Sequence, residues 1–354
     1  MKEHKAIKGR GASKNPPNRF DKITIEINEA FEEEGVMSVG PHTQFYEDKS
    51  KTIITYNKSP DVRFDASINI YRGCEHGCIY CYARPTHEYL GLSIGLDFES
   101  KIFVKKDAPG LLAQELSAKK WEPQILGISG VTDAYQPVER SLQLTRQCLQ
   151  VLKEFRNPVT IITKNFLITR DIDILSSLAK HQAVSVCISI CTLDNELVAK
   201  LEPRTSRPEK RLKAIRMLSE AGIPVGVLVA PVIPGLTDHE IPEILRRAAG
   251  EGAHFASYTL IRLPYGVKKL FVEWLEKQFP HRAGKILSRI SSIRGGKLNE
   301  SQFHERMGGR GEFAEQIRQL FRAACNKYHL SLQAPSLSTK AYRRTRVTQL
   351  NLFD

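Results

Sequence analysis

Short β-branched runs alternate with amphipathic helical runs between Ala66 and Thr259. The predicted strands are Ser67–Tyr71, Gln124–Ser129, Val159–Thr163, Ala183–Ile190, Pro224–Ala230 and His254–Thr259. The predicted helices between them cover residues 110–119, 139–154, 169–180, 209–221 and 238–250. Because strands that alternate with helices of this length form βαβ units, the pattern predicts an α/β fold with a parallel sheet. Such units make either a curved, partial (β/α)6 barrel or a doubly wound sheet.

The segments that flank this alternation differ in composition. Residues 1–20 are rich in Lys, Gly, Asn and Pro, which is typical of a disordered arm. Helical spacing returns near 267–279, 281–292 and 300–328, where we expect helices that cover the open side of the partial barrel. We divide the chain into a disordered basic arm (1–20), a small N-terminal appendage (21–64) with short strands near 23–31 and 52–56, an α/β core (65–262), a C-terminal helical extension (263–332) and a basic flexible tail (333–354).

Three cysteines stand close together after the first predicted strand, in a stretch that reads YRGCEHGCIYCYAR. Cys74, Cys78 and Cys81 have three and then two residues between them. Soft thiolates bind soft metals, and three of them on a [4Fe–4S] cluster leave one iron open. A structural zinc site needs four ligands, usually as two pairs, and no second pair follows. The alternative is a zinc knuckle that uses His76 or His87 as fourth ligand.

The spacing C-x3-C-x2-C after a first strand resembles the radical S-adenosylmethionine (SAM) superfamily. The stretch NIYRGCEHGCIYCYAR is similar to the branch that contains spore photoproduct lyase. The resemblance implies a partial barrel of the radical SAM type, a [4Fe–4S] cluster on Cys74, Cys78 and Cys81, and SAM at the open iron. In this superfamily, cleavage of SAM yields a 5′-deoxyadenosyl radical that abstracts hydrogen from the substrate.

The resemblance also implies a cofactor lining at the carboxyl ends of the strands, where ligands gather in such folds. Asp133 is a candidate for the acidic residue that usually follows the glycine-rich turn. The implied contacts to SAM are Tyr80 beside the adenine, Ser129 and Gly130 at the amino group, Lys164 at the carboxylate, Ser189 at the ribose, and Arg204 in the segment after the fourth strand.

Two further cysteines lie in the fourth predicted strand. By alternation Cys187, Ser189 and Cys191 share one face. If that face looks into the barrel, the two cysteines are candidate hydrogen-atom donors, although free cysteines are commonly just buried. Photoproduct lyase carries its hydrogen-donating cysteine near the end of the second strand, and residues 127–133 here contain none. Direct reversal of a thymine photoproduct by the same route therefore needs Cys187 or Cys191 as a substitute.

The charge favours an acidic partner. The 354 residues include 52 Lys and Arg against 39 Asp and Glu, a net charge of +13. Nucleic acid is the first candidate partner, and a generally basic solvated surface is the alternative. No apolar run is long enough to span a bilayer, no apolar signal core begins the chain, and the seven cysteines form no secreted framework, so we expect a cytoplasmic protein.

The chain ends in AYRRTRVTQLNLFD, and part of this tail resembles a docking peptide. Bacterial DNA-repair and replication proteins dock on the sliding clamp through a pentapeptide similar to Gln349, Leu350, Asn351, Leu352 and Phe353. The basic residues just before it, Arg343, Arg344 and Arg346, are candidates for phosphate contacts. The alternative is a tail that packs on its own domain.

Together these features predict a radical SAM enzyme, lyase-like, that acts on nucleic acid in a role similar to DNA repair and receives electrons from an external donor. One alternative is a radical enzyme that modifies a peptide or a small molecule. Another is a non-catalytic, metal-stabilised nucleic-acid-binding module. A polar cofactor lining at the strand ends separates the enzymes from the binding module.

Overall fold

The computed structural model describes residues 7–20, 42–62, 64–128 and 130–345. Its strands are β1 (Gln44–Glu47), β2 (Ile54–Tyr56), β3 (Ala66–Ile68), β4 (Tyr71–Arg72), β5 (Lys101–Val104), β6 (Leu126–Ile128), β7 (Val159–Thr163), β8 (Val184–Ser189), β9 (Val225–Val232) and β10 (Phe255–Leu260). Its helices are α1 (Leu96–Ser100), α2 (Ala108–Ser117), α3 (Glu139–Leu142), α4 (Leu144–Phe155), α5 (Ile172–Ala179), α6 (Asn195–Leu201), α7 (Pro208–Glu220), α8 (Ile241–Gly250), α9 (Val267–Gln278), α10 (Ala283–Ser292), α11 (Glu305–Gly308) and α12 (Glu312–Lys327). Short 3-10 helices cover Arg84–Leu90, Phe166–Asp171 and Asp238–Glu240.

The main sheet has seven strands in the order β10–β9–β8–β7–β6–β3–β2. All pairs from β3 to β10 are parallel, and β2 joins β3 as an antiparallel edge strand. The α/β prediction and the parallel order are confirmed. Among the described residues no strand pairing joins β10 to β2, so the sheet is open, as in a partial barrel.

The alternation of side chains along the strands decides which face the helices cover. Val159 and Ile161 of β7 and Val184 and Val186 of β8 are fully buried in one core with residues of the helices. The opposite face carries smaller or more polar residues, of which Cys187 is one. Because side chains alternate along a strand, this second set lines the concave side of the sheet.

A small second sheet, β1–β5–β4, lies beside the main one. β1 runs parallel to β5, and β4 pairs antiparallel with it. The sequence pattern missed β1, β5 and α1 because each is shorter than the window over which periodicity can be read. β4 leads directly into the cysteine-bearing turn.

Residues 7–20 differ from the disordered arm that composition predicts. Ala12 and Asn18 are buried. The backbone N–H groups of Gly11 and Ala12 donate to the carboxylate of Glu99 at 2.9 and 2.8 Å, and Asn18 Nδ2 donates to the carbonyl of Glu88 at 2.9 Å. The partners come from segments about 70 to 90 residues away, so composition cannot reveal them. The predicted strand near 23–31 lies outside the described residues.

The segment 333–345 also differs from the flexible tail that was predicted. Tyr342 donates through its hydroxyl to the carbonyl of Leu116 at 2.7 Å. The guanidinium groups of Arg343 and Arg344 donate to backbone carbonyls, including Glu154 O at 2.8 Å. Glu154 and its neighbours precede β7, so the segment lies at the amino ends of the parallel strands. Arg346 and residues 349–353 lie outside the described residues.

One contact joins the two edges of the open sheet. Arg306, in α11 next to β10, forms an ion pair with Asp61 and donates to Ser59 Oγ at 2.5 Å. His304 N donates to the same Asp61 at 2.8 Å. Asp61 belongs to the loop between β2 and β3. Part of the C-terminal extension therefore bridges the gap, whereas α12 packs against α8 on the outer side. None of the helices in the described ranges combines the length and apolar character that a bilayer span requires.

Candidate active site

The three clustered cysteines lie on one tight turn after β4. Gly73 and Gly77 in this turn have positive φ values of 83° and 66°. A Cβ on Gly77 would stand 2.7 Å from Glu99 Oε2, so a side chain does not fit there. The N–H of Cys81 donates to the carbonyl of Cys78 at 3.2 Å, which closes the turn.

A buried ion pair supports the turn from below. Arg84 is fully buried and donates from Nε to Cys78 O at 3.0 Å and from Nη1 to Gly95 O at 3.0 Å. Its Nη2 meets Glu99 Oε1 at 2.5 Å. The second oxygen of Glu99 accepts the N–H of Gly11. Since every partner is hydrogen-bonded, the pair ties the cysteine turn, α1 and the N-terminal segment together.

Burial sets the state of the three thiols. It raises the pKa of Cys74, Cys78 and Cys81, so each is a neutral thiol at pH 7 unless a metal is bound. Metal ligation requires the thiolate, and a bound cation supplies the charge that stabilises it. In the described part of the chain, no three His, Cys, Asp or Glu side chains already stand as a metal site. The chemistry of its three thiols is therefore what indicates that the turn fits an iron–sulfur cluster.

The two histidines considered as zinc ligands differ in their partners. His76 Nδ1 lies 3.5 Å from Asp133 Oδ2, and its Nε2 lies 3.2 Å from Asn165 Nδ2. Burial lowers the pKa of His76, so the ring is neutral with both nitrogens engaged. His87 Nε2 contacts the carbonyl of Lys101 at 2.9 Å, and its Nδ1 is buried without a partner among the described residues. Of the two, His87 suits the zinc alternative better.

Five polar side chains meet beside the ends of β7 and β8, and we call them the strand-end cluster: Tyr80, Lys164, Ser189, Glu202 and Arg211. Lys164 Nζ donates to Ser189 Oγ at 2.8 Å and lies 3.2 Å from Glu202 Oε1. Glu202 also accepts hydrogen bonds from the Tyr80 hydroxyl and from Arg211. Arg211 Nη1 donates to the carbonyl of Ser189 at 2.9 Å. The sequence-predicted Tyr80, Lys164 and Ser189 are thus neighbours.

The electrostatics of the cluster centre on Glu202. Burial by itself would raise its pKa, but the positive charges of Arg211 and Lys164 hold the pKa of Glu202 at about 2. Burial and the Glu202 charge raise the pKa of Tyr80, so its phenol stays a neutral donor. A fixed carboxylate therefore occupies one side of the Lys164 ammonium group.

Other predicted residues take different positions. The Gly130 carbonyl accepts the Tyr82 hydroxyl at 2.8 Å, which ties the turn after β6 to the cysteine turn. Ser129 lies outside the described residues. Asp133 accepts the backbone N–H of Lys164 at 2.8 Å, and its contacts organise the strand ends. Arg204 pairs with Glu75 of the cysteine turn at 3.0 Å rather than with the strand-end cluster.

The two candidate hydrogen donors lie at different depths. Cys187 belongs to the concave face of β8, two residues before Ser189, and it is 9% exposed. Cys191 follows the strand and is fully buried, with Sγ 3.1 Å from the carbonyl of Pro231. Burial also raises the pKa of Cys191, so its S–H bond persists at pH 7. Cys187 has the more accessible position of the two.

Comparison with known proteins places this arrangement in a family. The sequence model of the radical SAM superfamily matches residues 68–248, just over half of the chain. The chain belongs to the radical SAM superfamily. An uncharacterized protein of Mycobacterium tuberculosis is 34% identical over 242 residues, which cover 67% of this chain and 70% of that protein.

Photoproduct lyases are also similar to this radical SAM protein. Spore photoproduct lyase of Bacillus subtilis is 27% identical over 232 residues, covering 61% of this chain and 62% of the lyase. A solved photoproduct lyase variant with bound AdoMet and dinucleoside spore photoproduct has a TM-score of 0.57 at 17% identity, over 80% of this chain and 78% of that one. That structural likeness shows the shared fold.

The cofactors of this radical SAM protein are a [4Fe–4S] cluster and S-adenosylmethionine, as predicted. Sequence reasoning missed the Arg84–Glu99 pair and Arg211. In a sequence, a buried arginine cannot be told from a solvated one. Only its partners, which come from distant segments, distinguish it.

We expect Glu99→Gln to lower the free energy of unfolding by about 3–5 kcal/mol, because it leaves the buried Arg84 guanidinium without a counter-charge. Urea denaturation of the metal-free protein measures the change. Glu243→Gln, at an exposed pair with Arg246, is the matched control and should behave like the unmodified protein. Equal midpoints for Glu99→Gln and the control would contradict the role of the pair.

Glu202 should make stability depend on acid pH. Its pKa is about 2 in the folded chain against an ordinary 4.5, so its contribution is complete above about pH 5 and is lost as pH falls toward 2. The contribution is about 3 kcal/mol. Urea denaturation between pH 6 and about pH 3 should show a shallower decline for Glu202→Gln than for the unmodified protein. If the stability of the two proteins declined equally with pH, Glu202 would not be the cause of the pH dependence.

Proposed function

We propose that this radical SAM protein is an enzyme that acts on nucleic acid, with Cys74, Cys78 and Cys81 as the ligands of its cluster. The observation that carries the proposal is the cysteine turn facing the strand-end cluster at one end of the sheet. When bound, the cluster and SAM supply a 5′-deoxyadenosyl radical that abstracts hydrogen from a substrate. A non-catalytic binding module has no need for such a lining.

The chain's own residues would bind and orient SAM. Lys164 would hold the ligand carboxylate as a point charge, and Ser189 would accept or donate at the ribose. Tyr80 closes the wall beside the adenine, and the turn at Ser129 and Gly130 would receive the amino group. Arg204 contributes indirectly, because its ion pair with Glu75 fixes the cysteine turn.

Cys187 and Cys191 are the proposed hydrogen-atom donors. A donor must return a hydrogen atom to a substrate radical, and a neutral thiol can do so while its own sulfur becomes a radical. The position of Cys187 on the concave face favours it over the fully buried Cys191. This route would replace the cysteine that photoproduct lyase carries near its second strand and that residues 127–133 lack.

A nucleic-acid substrate is supported by the net charge of +13 and by the likeness to a DNA photoproduct lyase. We propose a lyase-like reaction in a role similar to DNA repair, with electrons from an external donor. The protein would work in the cytoplasm, because an oxygen-sensitive cluster and cysteines that form no disulfide bonds suit a reducing compartment.

Anaerobic reconstitution with iron and sulfide, then reduction with SAM, should yield 5′-deoxyadenosine. Cys78→Ala should abolish both iron–sulfur absorbance and product. Cys325→Ala is the matched control, because Cys325 is buried in α12 and should leave both unchanged. Bound zinc without iron–sulfur absorbance, or a cluster that never cleaves SAM, would contradict the enzyme and favour the metal-stabilised binding module.

The tail supports a second proposal, a contact with a sliding clamp. Segment 333–345 is anchored at the amino ends of the strands through Tyr342, Arg343 and Arg344. The pentapeptide Gln349–Phe353 begins four residues after this segment ends. A clamp bound there would lie at the end of the sheet opposite the cysteine turn. Arg343 and Arg344 place part of their guanidinium donors on carbonyls, and Arg346 is the third proposed phosphate contact.

Full-length protein should bind a purified bacterial sliding clamp, and Leu352→Ala with Phe353→Ala should weaken binding by about tenfold or more, as expected for buried apolar anchors. Surface plasmon resonance with immobilised clamp measures the affinity. Asp354→Ala is the control, since the residue lies outside the pentapeptide. Equal binding by both variants would contradict clamp docking without affecting SAM cleavage.

A further inference from the structure

Three strongly exposed aromatic side chains surround one arginine near the cysteine turn. Phe20, Tyr89 and Tyr265 are 53, 73 and 67% exposed. The Arg19 guanidinium carbon lies 3.9 Å from the Tyr265 ring centre, 4.6 Å from that of Phe20 and 5.5 Å from that of Tyr89. We call these four residues the aromatic–arginine platform. Such exposure of large rings is costly and marks an interaction surface.

The platform is held in place by its neighbours. Arg19 Nε pairs with Glu88 Oε2 at 3.0 Å, and Glu88 is itself buried. The ring centres of Phe20 and Tyr89 are 5.2 Å apart. The four side chains therefore form a fixed group that presents ring surface to solvent.

The platform lies at the same end of the sheet as the candidate active site. Tyr89 is in the 3-10 helix that follows the cysteine turn directly. Tyr265 follows the carboxyl end of β10. Since all the parallel strands present their carboxyl ends at one face, the platform stands beside the opening of the barrel.

Arg262 contacts the cysteine turn and is close in sequence to the platform. Arg262 is three residues before Tyr265, a span of at most about 10 Å. Its guanidinium carbon is 5.2 Å from the ring centre of Tyr82, the residue after Cys81. Within the described ranges Arg262 makes no ion pair, and its Nε is buried without a hydrogen-bond partner. A phosphate at the accessible part of the guanidinium would supply a counter-charge.

We propose that the aromatic–arginine platform binds unpaired bases of a single-stranded nucleic acid while Arg262 holds a backbone phosphate beside the cysteine turn. Bases of any sequence stack on exposed aromatic rings, and arginine adds charge and a stacking plane. In a duplex the base faces are stacked on one another and unavailable to such rings. This inference rests on the proposed nucleic-acid function and specifies the form of the substrate.

The test uses the anaerobically reconstituted full chain and fluorescence anisotropy with a labelled mixed-sequence oligonucleotide of about 12 nucleotides, within the site sizes of such surfaces. The single strand should bind at least about tenfold more tightly than its duplex. Tyr265→Ala and Tyr89→Ala should each weaken single-strand binding by about tenfold. Tyr265→Phe keeps the ring and should bind like the unmodified protein. Iron–sulfur absorbance checks that each variant is folded.

Tyr56→Ala is the matched control. Tyr56 is 63% exposed, but it pairs with the first residue of β3 at the other end of the sheet. The Tyr56→Ala variant should bind the single strand like the unmodified protein. Arg262→Gln should reduce the slope of affinity against salt by about 1, whereas Arg262→Lys should retain it.

The outcomes separate this inference from the function on which it rests. Equal affinity for single strand and duplex, or unchanged binding by Tyr265→Ala, would overturn the platform and leave a nucleic-acid enzyme that uses another surface. Formation of 5′-deoxyadenosine without binding of either nucleic acid would overturn both the platform and the nucleic-acid substrate, and would point to a protein or small-molecule partner. The radical chemistry would stand in each case.

Discussion

The buried pair of Arg84 and Glu99 is the constraint on which the functional end of the molecule depends. An arginine in the protein interior needs a counter-charge and acceptors for its N–H groups. Arg84 donates to the carbonyls of Cys78 and Gly77 in the cysteine turn. Glu99 uses its second oxygen for the N-terminal segment. The cysteine turn, α1 and the N-terminal segment are therefore held in one arrangement. Displacing any of them would disrupt the buried charge pair or its hydrogen bonds.

The parallel sheet separates two kinds of surface. At the carboxyl ends of its strands, the cysteine turn, the strand-end cluster and the aromatic–arginine platform share one opening. At the amino ends, the segment 333–345 contacts Leu116 of α2 and Glu154 of α4. A partner attached at the amino ends, as proposed, would therefore not cover the cysteine turn.

The sequence predicted the parts of the fold that follow from local periodicity. The run Val159–Thr163 coincides with β7, and the cysteine spacing alone indicates the radical SAM family. It did not predict the order in residues 7–20, because their amides are satisfied by a carboxylate 87 or 88 residues away. Likewise Arg204 carries the letter expected of a cofactor ligand, yet a glutamate in the cysteine turn takes its charge.

The ion pair between Arg306 and Asp61 has a consequence for how a polymer can approach. An open sheet would otherwise leave a slot along its side through which a long chain could be laid into the concave interior. The Arg306–Asp61 pair and the hydrogen bonds beside it close that slot. A polymeric substrate of the proposed kind would then stay outside this rim and insert a single residue, so the reacting residue would be extruded from its neighbours before it reached the concave interior.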